Sequence, residues 1–225
     1  MLIESYTLKT GTFDQIGTDI NRNLINNWVG PKITYNLNSQ GYRCKEWDQY
    51  DWNDSILVFG ASNIFGVGVC EDQTMSSYIQ QHTDISTINL GQIGSGCSAQ
   101  WINSLRILEN NITPRGVVYV WPDENRETEF KDDDGIKVDF SGHWTKRTFN
   151  SVWCRHQYQG TVLAQYYRDA IKLLWSCPVV EYRLQSNDPT SPLNQIDISR
   201  DRLHPGPETY KLWAELAVKE LALQM

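Results

Sequence analysis

Two short stretches of this chain carry residue types that together can do acyl chemistry. Asp201-Arg-Leu-His204-Pro205 places a carboxylate three residues before a histidine, and Val58-Phe59-Gly60-Ala61-Ser62-Asn63 places a serine behind an apolar run. At that spacing the carboxylate can orient and charge-balance the imidazole from within one loop. The imidazole can then act as general base for a hydroxyl presented at the end of a strand. Ser62, His204 and Asp201 are therefore the candidate nucleophile, base and orienting acid of an acyl-hydrolase site. Each part also has a plainer use. A serine after a strand-ending glycine commonly caps a helix, and an Asp–His pair near a helix start can be a surface ion pair.

Such residues need a frame, and the apolar pattern supplies one from residue 54 onward. The runs at 55–59, 85–90, 116–121 and 178–183 are short, continuous and bounded by polar residues or glycine, as expected of buried parallel strands. Between them, residues 74–81 predict a helix. Trp101, Leu105 and Leu108 recur at i, i+4, i+7 and predict a second, with these side chains as its apolar face. Leu163, Tyr167, Ala170 and Leu174 mark a third, and 207–223 a closing helix with Pro207 in its first turn. The run Asp132-Asp133-Asp134-Gly135 reads as a hairpin turn.

Alternating strands and helices predict a parallel sheet with helices on both faces, whose ligands sit beyond the carboxyl ends of the strands. Ser62, Gly94, Asp123 and the Asp201–His204 loop all follow predicted strands at that end. Residues 1–50 lack periodicity and are expected to form a lead-in that packs on the main domain, 51–225.

Composition narrows the function classes. The 225 residues are 40% hydrophobic and 21% charged, with a formal charge of −7 and no basic run. That balance argues against a nucleic-acid surface, which needs clustered Lys and Arg. The five cysteines (Cys44, Cys70, Cys97, Cys154, Cys177) are odd in number and scattered, without a C-x-x-C, so neither a zinc site nor a disulfide framework is expected. No basic, then apolar, leader opens the chain, and no apolar run reaches ~18 residues. Cytoplasmic synthesis without a signal peptide and no membrane partner are the corresponding expectations. His82, His143 and His156 have no partner at metal-ligand spacing, so no metal is expected. Nine tryptophans and eleven tyrosines suit a core, with some available to stack on sugar rings.

Three short stretches resemble blocks of the SGNH (GDSL) hydrolase superfamily, whose members carry four, over roughly residues 54–223. Gly60-Ala61-Ser62 keeps the glycine and serine of the first block and lacks its aspartate, with Gly66 following at a familiar place. Asn89-Leu90-Gly91-Gln92-Ile93-Gly94 is similar to the second block, and Asp201 with His204 matches the last. The third block, usually Gly-x-Asn-Asp, is replaced by Trp121-Pro122-Asp123-Glu124-Asn125. The lead-in stretch 35–43 also looks like one found ahead of some of these domains, and bacteriophage-encoded members are similar in having a tryptophan in block three.

The resemblance implies a flavodoxin-like three-layer α/β/α sandwich with a mostly parallel sheet. It also implies an oxyanion hole from the backbone N–H groups of Ser62 and Gly94, glycine letting the backbone approach without a Cβ in the way. The third donor, normally a side-chain amide, would be Asn125 or Asn63. Asn63, Trp121 and Asp123 are expected to touch substrate. The function so implied is a serine esterase needing no cofactor. Its substrate would be a small-molecule or glycan ester, aromatic richness favouring an O-acylated carbohydrate. Two other classes stay open: a catalytically silent SGNH fold used for binding or assembly, for instance in a virus particle, and an O-acyltransferase.

Overall fold

The apolar runs do become strands. In a computed structural model, residues 13–14, 33–122, 129–132, 136–139, 153–184, 192–201 and 203–224 are described, and side chains for 33–122, 162–184, 192–201 and 203–224. In chain order the strands are β1 (Phe13–Asp14), β2 (Thr34–Tyr35), β3 (Ser55–Gly60), β4 (Ser86–Gly91), β5 (Gly116–Trp121), β6 (Glu129–Asp132), β7 (Ile136–Asp139) and β8 (Val179–Arg183). The helices are α1 (Ser62–Phe65), α2 (Met75–Thr83), α3 (Cys97–Glu109), α4 (Trp153–Leu174) and α5 (Pro207–Ala222).

The main sheet runs β4-β3-β5-β8, every pairing parallel. All six residues of both β3 and β5 are buried, which is why those runs are apolar throughout rather than alternating. Two smaller antiparallel pairs, β1 with β2 and β6 with β7, lie outside this sheet. The second pair flanks the expected hairpin turn, whose residues 133–135 lie outside the described set.

Alternate residues of each strand feed opposite faces. Ile56, Val58, Val118, Val120 and Val180 pack with Met75 and Ile79 of α2 and with Tyr210, Trp213, Ala217 and Leu221 of α5. Leu57, Phe59, Ile88, Val117, Tyr119 and Trp121 pack with Ile107 of α3 and with Ala164 and Ile171 of α4. Helix pairs on both faces make the three-layer α/β/α arrangement. Each aliphatic side chain buried this way contributes about 1.5–3 kcal/mol. The strand order is that of a doubly wound sheet, with chain connections leaving in opposite directions from β3 and β5. In sheets of this kind ligands bind at the carboxyl ends of the two strands where the connections diverge.

Two helix faces differ from expectation. On α3 the buried residues are Cys97, Ala99, Gln100, Asn103, Ser104 and Ile107, not the Trp101–Leu105–Leu108 stripe. Asn103 Nδ2 donates to Tyr42 Oη at 2.8 Å, and Ser104 and Tyr119 share a hydroxyl contact of 2.6 Å. Paired polar groups therefore go inward, while Trp101 packs sideways on Tyr167 of α4, ring centroids 5.7 Å apart. On α4 the buried positions are Ala164, Arg168 and Ile171, one residue on from the expected stripe, leaving Leu163 and Leu174 exposed.

Residues 33–50 pack into the same core. Tyr42 is fully buried in the α3/α4 cluster with Trp47 and Trp52 against it, while Ile33 and Tyr35 join Phe65, Val67 and Ile93 in a third cluster.

Candidate active site

Strand β3 ends at Gly60, and the chain turns at once into α1, a single helical turn that begins with Ser62. Ser62 and Asn63 stand at the start of that turn, so their N–H groups have no intrahelical acceptor. The preceding residue, Ala61, has no side chain to cap the helix. Strand β4 is drawn alongside: Gly60 pairs with Gly91, Gln92 N donates to Gly60 O at 3.0 Å, and Ser95 Oγ donates to the same oxygen at 3.3 Å. The tight Gln92–Ser95 turn, closed by Ser95 N to Gln92 O at 3.2 Å, puts Gly94 at φ +78°, where a side chain would strain it. The β4–α3 loop is thus fastened to the end of β3 immediately before Ser62.

The third part arrives from the far end of the chain. The loop before α5 doubles back through an antiparallel bridge between Ile198 and Pro205, and Ser199 N donates to His204 O at 2.8 Å. Its outer end is fixed by Asp197. That carboxylate accepts from Thr209 N (2.8 Å) and Glu208 N (3.1 Å) in the first turn of α5, whose own N-cap, Gly206, has no side chain to offer. Its inner end carries Asp201 and His204.

His204 Nε2 lies 2.9 Å from Ser62 Oγ, and His204 Nδ1 lies 2.6 Å from Asp201 Oδ2. Asp201 is 1% exposed. Its Oδ1 accepts from Ser199 Oγ (2.5 Å), Leu203 N (3.0 Å) and His204 N (3.0 Å). Burial by itself would raise this carboxyl. The hydrogen bond and charge of His204, with the Ser199 hydroxyl and the His204 N–H, outweigh that and hold it well below the usual carboxylate range. An ionised Asp201 can only accept, so Nδ1 donates to it, and in the neutral imidazole that leaves the Nε2 lone pair facing the Ser62 hydroxyl. The serine hydroxyl then donates to the imidazole.

The structure therefore brings Ser62, His204 and Asp201 into one hydrogen-bonded line, and sets the Gly94 turn beside the start of α1. Asn63 is half-buried next to Ser62. Trp121 does not line this site. Falling on the same strand face as Val117 and Tyr119, it is fully buried and stacks on Tyr119 with centroids 4.6 Å apart. Trp175 and Trp213 are buried as well, so part of the aromatic richness is core. Asp123 and Asn125 lie outside the described residues. Among the described residues no cluster of three His, Cys, Asp or Glu side chains is placed to hold a metal ion, and no helix is long and apolar enough to cross a membrane.

Sequence reasoning missed Ser199, which braces Asp201. It also missed Arg43 and Tyr35, which lie behind α1. A hydroxyl two residues before the acid was the available signal for Ser199, whereas nothing in the local pattern marks Arg43 as buried.

No protein-family model and no curated protein matches the chain. Among solved structures, a lipolytic protein of the G-D-S-L family from Desulfitobacterium hafniense DCB-2 is similar at 14% identity, over 75% of this chain and 100% of that one, with a TM-score of 0.38. A GDSL-like lipase from Bacteroides ovatus ATCC 8483 is similar at 12% identity, over 76% of this chain and 54% of that one, with a TM-score of 0.40. This chain thus spans about half the length of the second structure.

Proposed function

We propose that the chain is a serine ester hydrolase of the SGNH type, with Ser62 as nucleophile, His204 as base and then acid, and Asp201 as the group that fixes the imidazole. The observation that carries this reading is the continuous line from Ser62 Oγ through His204 (2.9 Å) to Asp201 (2.6 Å), with Asp201 held ionised. Those distances are within direct proton-transfer reach without rearrangement.

In the first half-reaction Ser62 Oγ attacks the ester carbonyl carbon and its proton passes to His204 Nε2. Asp201 balances the imidazolium that results. The tetrahedral oxyanion accepts from the N–H groups of Ser62 and Gly94, preset by the start of α1 and by the 92–95 turn. Collapse breaks the C–O bond to the alcohol, which leaves with the proton from Nε2. In the second half, water attacks the acyl-enzyme, gives its proton to Nε2, and the acid departs as that proton returns to Ser62 Oγ.

Reaction with a fluorophosphonate probe, wild type beside Ser62→Ala, tests the reading. Labelling of the wild type alone, accompanied by hydrolysis of p-nitrophenyl acetate, is the expected result. A folded wild-type protein that neither labels nor hydrolyses would overturn it and return the fold to a binding role.

A further inference from the structure

Helix α1 is four residues long, too short to hold itself in water, yet it must present Ser62 to His204 within a few tenths of an ångström. Its carboxyl end and the turn that follows leave carbonyl groups without helical partners. A single side chain from the segment ahead of the sheet meets three of them. Arg43 Nη1 donates to Phe65 O (3.2 Å) and Gly66 O (2.7 Å), and Nη2 to Val69 O (3.0 Å). Arg43 is 2% exposed, and its guanidinium lies over the rings of Tyr35 (4.5 Å) and Phe65 (5.8 Å). Tyr35, fully buried, accepts at its hydroxyl from Gly68 N at 2.8 Å.

The same turn is the surface on which the acid–base loop rests. Arg200 N donates to Gly68 O at 3.1 Å. A Cβ on Gly68 would come within 2.3 Å of Ser199 Oγ and 3.2 Å of Asp201 Oδ1, so the two segments touch there without room for a side chain. Ser62, α1, the 66–69 turn, Ser199–Asp201 and His204 therefore form a closed ring, and Arg43 and Tyr35 grip it at the turn.

We propose that Arg43 and Tyr35 are positioning residues of the site, setting the distance between Ser62 and His204 by fixing the turn on which both the nucleophile helix and the Asp201 loop rely. The proposal rests on the ester-hydrolase reading above. Misplacement of reacting groups by about 1 Å costs on the order of 100-fold in rate. Loosening this grip should therefore lower kcat about 10- to 100-fold with KM within about two-fold, since neither side chain meets substrate.

The test compares wild type, Tyr35→Phe, Arg43→Lys and Arg43→Met at a temperature well below each melting point, with far-UV circular dichroism as the check on folding. Steady-state kcat and KM on p-nitrophenyl acetate are measured beside the low-field proton resonance of His204 Nδ1–H. Expected are a lowered kcat, an unchanged KM and a weakened or shifted resonance in Tyr35→Phe, with Arg43→Lys less impaired than Arg43→Met. A merely structural role would lower the melting temperature and leave kcat of the folded protein and the resonance unchanged. Tyr35→Phe removes one oxygen and keeps the ring, so it decides the matter even if Arg43→Met does not fold. A folded Tyr35→Phe protein with wild-type kcat and resonance overturns the proposal while leaving the hydrolase reading intact. A wild-type protein without turnover overturns both.

Discussion

At the residue scale the site depends on Asp201 staying charged while almost fully enclosed. Four donors make that stable, three on one oxygen and His204 on the other. The carboxyl is held below its unfolded value, so the linkage has a definite sign. Its contribution to stability is complete above the ordinary carboxylate range, about pH 4, and is lost as pH falls below it. Asp201→Asn should therefore flatten the acid side of the stability profile, read as melting temperature from pH 6 down to pH 3, and lower turnover on the order of 10⁴-fold by disturbing the imidazole tautomer. Ser62→Ala and His204→Ala should each remove turnover, on the order of 10⁶-fold, without lowering the melting temperature by more than a few degrees, because neither opens a core cavity. Tyr210 offers a contrast. Its hydroxyl is buried without a hydrogen-bond partner among the described residues, and burial pushes it well above its ordinary pKa. Tyr210→Phe should hold or raise stability, by up to about 1–3 kcal/mol in urea unfolding. The same change at Tyr35, whose hydroxyl is engaged, should lower it.

At the scale of elements, one short loop serves two ends. Asp197 holds the start of α5 while Asp201, four residues on, holds His204, so anchoring and chemistry share a backbone. Asp197→Ala should cost about 1–2 kcal/mol, the usual range for a lost helix cap, and should also lower turnover because the loop then loses its outer fixing point. Thermal melts beside p-nitrophenyl acetate kinetics check both halves. On the other flank α1 crosses β4 at Gly91, where a Cβ would stand 2.2 Å from Phe65 N, a backbone atom that cannot swing away. The helix–strand approach that sets Ser62 at the edge of the sheet thus requires glycine there. The element positions themselves were legible. Runs at 55–59, 85–90, 116–121 and 178–183 fall within a residue or so of β3, β4, β5 and β8, because a parallel strand covered on both faces must be apolar along its length. Helix faces were not, since α3 buries Asn103 and Ser104 against tyrosine hydroxyls that only the folded sheet and lead-in supply.

At the scale of the whole molecule, residues 33–50 share the core with the sheet. Tyr42 carries this connection, buried among Leu57, Tyr119 and Ile107 and bonded to Asn103. Tyr42→Ala should cost about 3–5 kcal/mol in urea unfolding, the scale of a large aromatic lost from a packed core, and should destabilise sheet and lead-in together in one transition. By itself the sequence determined the order of the main sheet's four strands and of the four longer helices, and the residue types that could do acyl chemistry, because apolar runs and a local Asp-x-x-His spacing are properties of neighbouring residues. Tertiary structure decided what lies between distant ones. It closed the 142 positions between Ser62 and His204 to 2.9 Å, turned Trp121 into core, and set Arg43 behind the nucleophile helix. Those outcomes depend on which strand faces meet which helices and on which carbonyls a buried guanidinium can reach, relations that no stretch of sequence contains.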